Sequence, residues 1–201
     1  MIDFSKTTAL FGGSFDPIHL GHIHVAKNVL RLLPEMQQLF FVPAFQSPGK
    51  PPMAPPNLRS AWLEMAVVPG GFGLWNIEIE RKGTSYTVDT LEEAHRCGAR
   101  RENLYWIIGS DAYYSFPNWK NPERIRELAR LIVVNRTAVS PSPQNEEDIL
   151  LSIEPHPASS TLVREGLAAL SPKTDYLPPA VREDMERLFL RGYNPYAKKR
   201  E

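Results

Sequence analysis

The sequence predicts an α/β fold: a single domain built on a mostly parallel sheet, doubly wound with helices on both faces. Three observations predict it. Short apolar runs alternate with helical patterns along the chain, which calls for right-handed βαβ crossovers. Three of those runs, at 39–44, 104–110 and 129–136, are apolar without alternation, as central strands covered on both faces are. The first run ends in a glycine pair at the carboxyl end where open parallel sheets bind ligands.

Taken in order, the first strand is "TTALF" (7–11), followed by the helical pattern "HIHVAKNVLRLL" (22–33) with Ile23, Ala26, Leu30 and Leu33 on one face. "LFFVPA" (39–44) is the second strand. Six of the nineteen prolines lie between Pro43 and Pro56, so 43–56 is a long loop rather than helix or central strand. "NLRSAWLEMAV" (57–67) repeats the helical pattern through Leu58, Trp62 and Met65. "LWNIEIE" (74–80) alternates and predicts an edge or one-sided strand. "TVDTLEEAHRCG" (87–98) has acidic residues in its first turns and ends at Gly98, a C′ glycine. After "LYWIIGS" (104–110), "NPERIRELA" (121–129) opens with Asn as N-cap and Pro at N1. "ARLIVVNR" (129–136) is the next strand, "SPSPQNEED" (140–148) an exposed loop, and "ILLSIE" (149–154) a weaker strand. A last helix, in a C-terminal helical part spanning 159–195, runs through "PPAVREDMERLFLRG" and stops at Gly192. The layout is Rossmann-like, with no internal repeat and no interdomain linker over 1–201.

Composition limits what such a domain can do. Lys plus Arg equals Asp plus Glu, at 23 each. A chain without a basic surplus has no sequence-blind affinity for nucleic acid or an anionic membrane, although a few aimed donors still suffice for one phosphate site. The lone Cys97 excludes an intramolecular disulfide and a multi-cysteine zinc site. "MIDFSKTTALF" lacks a basic n-region and a long apolar h-region, and no apolar run approaches the roughly 18 residues of a membrane span. The expectation is a cytoplasmic protein; a homo-oligomer is left open.

Chemistry concentrates in "GGSFDPIHLGH" (12–22). Glycines at a strand end let backbone N–H groups approach an anion and permit φ > 0. A helix starting near Gly21 aims its free N–H groups and positive dipole end at the same place. His19 and His22 bracket that start and can both donate to phosphate oxygens. Asp16, restricted by Pro17, suits a loop brace. Blander readings stand beside these. A glycine pair also makes an ordinary tight turn, and His24 reads as an exposed or packing residue. Zinc on Asp16, His19 and His22 is chemically conceivable but leaves Gly12, Gly13 and Ser14 without a purpose. Neither GxxxxGK[ST] nor GxGxxG is present, so a nucleotide site here is of a third type.

"GGSFDPIHLGH" resembles the GG[TS]FDPxHxGH signature of the HxGH nucleotidyltransferases, and "ASSTLVR" (158–164) resembles their second signature. With "SYTVDTL" (85–91), "IIGSDAYYSFPNW" (107–119), "RLIVVNR" (130–136) and "YLPPAV" (176–181), the chain is similar nearly throughout to the bacterial nicotinate-mononucleotide adenylyltransferase family. The resemblance implies an enzyme of NAD biosynthesis that joins nicotinate mononucleotide to the AMP moiety of ATP and releases pyrophosphate. Mg²⁺ is then carried by the ATP, held by phosphates and water rather than a protein site.

By that resemblance His19, His22, Lys50 and Arg164 are the catalytic set. Gly12, Gly13, Ser14, Phe15, Gly109, Asp111, Ser159, Ser160 and Thr161 join the histidines and Arg164 around ATP. The mononucleotide falls to Ser14, Phe45, Lys50, Tyr86, Thr87, Trp119 and Arg136. Taken alone, "SST" is an ordinary N-cap, Lys50 a solvated lysine and Trp119 a core residue. One departure stands out. The family loop PNxxPPHK reads "PAFQSPGK" (43–50) here, so Ala44 replaces the asparagine and Gly49 the histidine, and Phe45 becomes a candidate cover for the pyridine. Related acceptors (nicotinamide mononucleotide, phosphopantetheine) and a nucleotide sensor without turnover are the rival readings.

Overall fold

The computed structural model describes residues 2–49, 51–135, 141–168 and 175–197. Its sheet has six strands: β1 (Thr8–Gly13), β2 (Gln38–Pro43), β3 (Gly73–Leu74), β4 (Leu104–Gly109), β5 (Arg130–Asn135) and β6 (Ile149–Ser152). Every pairing is parallel, in the order β3-β2-β1-β4-β5-β6. The order reverses between β1 and β4, and a ligand crevice opens outside the carboxyl ends of such a pair.

The helices are α1 (Leu20–Leu32), α2 (Pro56–Val67), α3 (Ile77–Arg81), α4 (Thr87–Arg96), α5 (Ser110–Tyr114), α6 (Pro122–Leu128), α7 (Ser160–Ala168) and α8 (Pro179–Leu190). They divide between the faces because strand side chains alternate. Ala9, Tyr105, Ile107, Ile132 and Val134 point into one core with Val25, Ala26 and Val29 of α1, Trp62 and Leu63 of α2, and Val181 and Met185 of α8. Leu10, Trp106, Ile108, Leu131 and Val133 point into the other, against Val88, Leu91 and Ala94 of α4 and Ile125 and Leu128 of α6. Each fully buried aliphatic or aromatic side chain contributes about 1.5–3 kcal/mol, so both faces hold the sheet.

Three expectations need correction. The segment 74–80 is not a strand: β3 has two residues and Ile77–Arg81 is helical. Alternation over so few residues misled because the residue it turns inward is Glu78, 4% exposed, whose carboxylate is satisfied by hydroxyls. On α2, Met65 faces out at 37% exposure while Arg59 is fully buried. Ahead of α6, Asn121 has φ 50 and makes no side-chain cap, so Pro122 starts that helix without the expected Asn bond. Gly98 and Gly192 do close α4 and α8 with φ of 98 and 80. No described helix is long and apolar enough to cross a membrane.

Candidate active site

At the carboxyl end of β1 the glycines act through space rather than through φ. Neither Gly12 nor Gly13 has positive φ; the residue that does is Phe15, at 45. A Cβ on Gly12 would lie 2.2 Å from the Trp106 indole, and one on Gly13 3.1 Å from the Phe15 ring. The pair lets Trp106 lean across β1 and lets the 14–17 turn fold back against the strand. That turn carries a cis Asp16–Pro17 peptide, and Phe15, Asp16, Pro17 and Ile18 are all buried.

The turn is fastened by side chains rather than by backbone ladders. The Asp16 carboxylate accepts from the Met53 N–H at 2.7 Å, the Ala54 N–H at 3.1 Å and the Tyr196 hydroxyl at 3.0 Å. Asp16 therefore braces the loop, as its sequence context suggested. Arg59 donates to the carbonyls of Ser14 at 2.5 Å, Phe45 at 3.0 Å and Ala54 at 3.1 Å. Burial pulls its pKa down while nearby Asp16 pushes it back up. The guanidinium thus joins the 14–17 turn to both ends of the Pro-rich loop, and Ser14 Oγ meets Ser47 Oγ at 2.6 Å.

α1 starts directly after the turn with His19 as N-cap. His22 Nδ1 accepts the His19 N–H at 3.2 Å, a histidine version of the reach-back in a capping box, and the two rings stack with centroids 3.7 Å apart. His19 is buried and His22 half-buried, with the Phe15 ring 5.0 Å from His22 edge to face. The glycine between them has a steric reason: a Cβ at Gly21 would sit 3.0 Å from both the Ala158 carbonyl and the His19 ring.

That Ala158 contact brings in the second segment. Ser159 Oγ caps α7 through the Leu162 N–H at 3.1 Å, so the ordinary N-cap reading of "SST" holds for this serine. Ser160 Oγ donates to the Pro17 carbonyl at 3.3 Å, and Arg164 Nη1 to the Asp16 carbonyl at 2.7 Å, its Nη2 resting on Thr161 Oγ1 at 3.1 Å. Two chain turns about 140 residues apart therefore meet at one end of β1.

Beside them lies a cavity of about 400 Å³, with Gly12, Gly13, Tyr86, Thr87, Gly109 and Trp119 in its wall. Phe45 is not in that wall; its main chain is spent on Ser85 and Arg59, whereas Ala44, Ser47 and Pro48 do face the cavity. Ser14, Phe15, both histidines, Asp111 and the 159–164 residues also lie outside the lining, at the 14–17 turn, at the starts of α1 and α7, or on α5. Lys50 and Arg136 lie outside the described residues. Sequence reasoning passed over Arg59, Glu78, Ser85, Trp106 and Lys120. Lys120 Nζ pairs with Asp89 at 2.9 Å and lies 4.6 Å over the Tyr86 ring, and its place next to Trp119 was the available signal.

Comparison with known proteins gives this arrangement its family. Residues 10–166 match the cytidylyltransferase-like family model. A probable nicotinate-nucleotide adenylyltransferase of Thermus thermophilus is 37% identical over 89% of this chain and 95% of its own length. One of Clostridium perfringens is 32% identical over 95% of this chain and 98% of its own. The chain belongs to the cytidylyltransferase-like family, among the nicotinate-nucleotide adenylyltransferases. Its fold matches a nicotinic acid mononucleotide adenylyltransferase of Plasmodium falciparum solved with NaAD, with TM-score 0.73, 18% identity and coverage of 94% and 98% of the two chains. The histidine and Ser-Ser-Thr turns of the chain meet beside a cavity walled in part by Tyr86, Trp106 and Trp119.

Proposed function

We propose that the chain transfers the adenylyl group of ATP to nicotinate mononucleotide. A 5′-phosphate oxygen of the mononucleotide attacks the α-phosphorus, the bond to the bridging α–β oxygen breaks, and pyrophosphate leaves. The observation that carries this reading is the meeting of the α1 and α7 starts at the 14–17 turn, next to a cavity lined by Gly12, Gly13, Tyr86, Thr87 and Trp119.

The attacking oxygen is already ionised at neutral pH, so the protein needs no general base. Its task is to hold two anions in line and to neutralise charge as it builds. His19 and His22 donate to the triphosphate from the α1 start, and Arg164 adds a forked cation from α7 that suits the β- and γ-phosphates. Ser14, Phe15 and the N–H groups of the turn take the α-phosphate side. Tyr86, Thr87 and Trp119 receive the pyridine, Trp119 by stacking. Mg²⁺ brought in with ATP would supply charge neutralisation between the two phosphates, and the residues above would hold the phosphates that carry it.

The test is pyrophosphate release by the purified protein with ATP, Mg²⁺ and nicotinate mononucleotide, set against nicotinamide mononucleotide and phosphopantetheine. The expected outcome is turnover with the highest kcat/KM on the nicotinate form. Equal values for the two mononucleotides would overturn the nicotinate assignment; absence of pyrophosphate with every acceptor would leave a nucleotide sensor.

A further inference from the structure

The stretch 153–159 carries the chain from β6 to α7 and decides how the α7 start arrives beside α1. Two histidines outside the 14–22 segment hold it there. His24 Nε2, on α1, lies 2.9 Å from the Glu154 carbonyl. A carbonyl only accepts, so Nε2 carries a proton and donates. Two residues further on, the Ala158 N–H donates to His156 Nδ1 at 3.1 Å, so this ring nitrogen is an acceptor and carries none. Ala158 is buried, and its carbonyl is the atom that a Cβ on Gly21 would meet at 3.0 Å. Ser159, the next residue, bonds the Leu162 N–H at the head of α7. The His156 ring also neighbours His24, with centroids 5.5 Å apart, and Tyr176 at 6.3 Å. The Tyr176 carbonyl in turn accepts the Leu20 N–H, the first of α1, at 2.8 Å. Segments leading into α1, α7 and α8 thus converge on one imidazole.

The two histidine bonds respond differently to acid. Protonated His24 still donates from Nε2, so its bond to Glu154 persists. Protonated His156 has become a donor at Nδ1; it faces the Ala158 N–H proton to proton, and that bond is lost. The titratable groups facing the His156 ring are His24, on α1, and Tyr176, ahead of α8. Burial and the neighbouring His24 hold the His156 pKa below the ordinary histidine value, and no carboxylate among the described residues opposes them. Because the folded-state pKa is the lower one, the contribution of the neutral ring to stability is complete above the ordinary value. It is lost as pH falls through the lowered one.

Resting on the adenylyl-transfer reading above, we propose that His156 is a positioning residue: its neutral ring sets the α7 start, and Arg164 with it, against the triphosphate, and protonation releases that hold.

Asparagine separates the bond from the titration. Its Oδ1 accepts the amide two residues on, as in an Asx-turn, and does not protonate in the histidine range. H156N, H156A and wild type are compared at about pH 8 and about pH 5, by calorimetry with ATP and Mg²⁺ and by thermal melts. At the higher pH, H156N should bind ATP within about twofold of wild type and H156A about fivefold more weakly. At the lower pH, the affinity of H156N relative to wild type should rise about threefold or more, and its Tm relative to wild type should rise with it. His19, His22 and the ATP phosphates titrate in both proteins and cancel in the ratio. An affinity ratio that ignores pH overturns the proposal. A Tm difference that grows in acid at a constant affinity ratio leaves His156 a stability role only and overturns it as well. If H156N does not fold, H156A decides: lacking the bond at every pH, it should draw level with wild type in acid, and a constant ratio overturns the proposal. Wild-type protein without pyrophosphate release at about pH 8 removes the functional reading and this inference with it. Wild-type turnover with a pH-independent ratio removes this inference only.

Discussion

Gly21 has no special φ, yet it is the residue at which the two signature segments touch. Alanine there must push against a backbone carbonyl and an imidazole, neither of which is the free end of a flexible chain. Overpacking of this kind costs about 1–3 kcal/mol, and the displaced ring is one that the proposed mechanism sets against the triphosphate. G21A should therefore lower kcat/KM at least tenfold by a pyrophosphate-release assay, with Tm falling by roughly 2–10 °C in a thermal melt. His22 gives a contrasting case: its half-buried ring stacks on His19 and accepts the His19 N–H, so truncation loosens the α1 start without overpacking it or opening the core. H22A should keep the wild-type far-UV spectrum while kcat drops on the order of 10²-fold, as when one preorganised oxyanion donor is deleted. Glu78 adds a pH signature. Its folded-state pKa is raised, so its contribution favours the fold at low pH and is lost as pH climbs from the ordinary glutamate value through the raised one. The Tm of E78Q relative to wild type should accordingly rise across that window; a pH-independent difference would contradict the burial account.

At the scale of elements, the Pro-rich loop is a part of the site because its ends are tied down. Asp16 holds Met53 and Ala54, and Arg59 holds Phe45, Ala54 and Ser14. D16A would strand two loop N–H groups and the Tyr196 hydroxyl at once. Thermal melts should show a loss of about 2–4 kcal/mol, while Y196F, which removes a single bond, should cost about 1 kcal/mol. These fastenings also explain what the sequence disclosed and what it concealed. The strands were legible because continuous apolar runs have few other uses, and the α1 and α7 starts because their residue types are functional in themselves. Arg59 was not legible: an arginine on a helix reads as solvent-facing, and only the carbonyls of three separate segments make its burial tolerable. Glu78 escaped for the same reason. Its own element was misread as a strand, and the hydroxyl that satisfies it, on Thr90, lies 12 residues away in α4. Gly12 and Gly13 were legible as a pair but do not use the positive φ expected of them, and the Trp106 and Phe15 rings they accommodate are a tertiary fact.

For the molecule as a whole, the reversal of strand order between β1 and β4 decides the layout. Under the proposed reading, the triphosphate groups gather where α1 and α7 begin, and the mononucleotide groups around a cavity walled by β1, β4, α4 and the β2 exit loop. Groups that act on one anion share its charge, so removing one changes what the other is worth; groups in separate halves keep independent effects. His22 and Arg164 are of the first kind, and His22 and Trp119 of the second. Written as transition-state free energies from kcat/KM, the losses in H22A and W119A should add within about 0.5 kcal/mol, a factor of about two in rate. The H22A/R164A pair should depart from additivity by more than that, the double variant retaining at least about fivefold more activity than the product of the single losses predicts. Additive histidine and arginine effects would mean that the α1 and α7 starts serve different groups. The contacts of Arg164 with the Asp16 carbonyl and of Ser160 with the Pro17 carbonyl would then hold the turn without joining the two ends around one substrate.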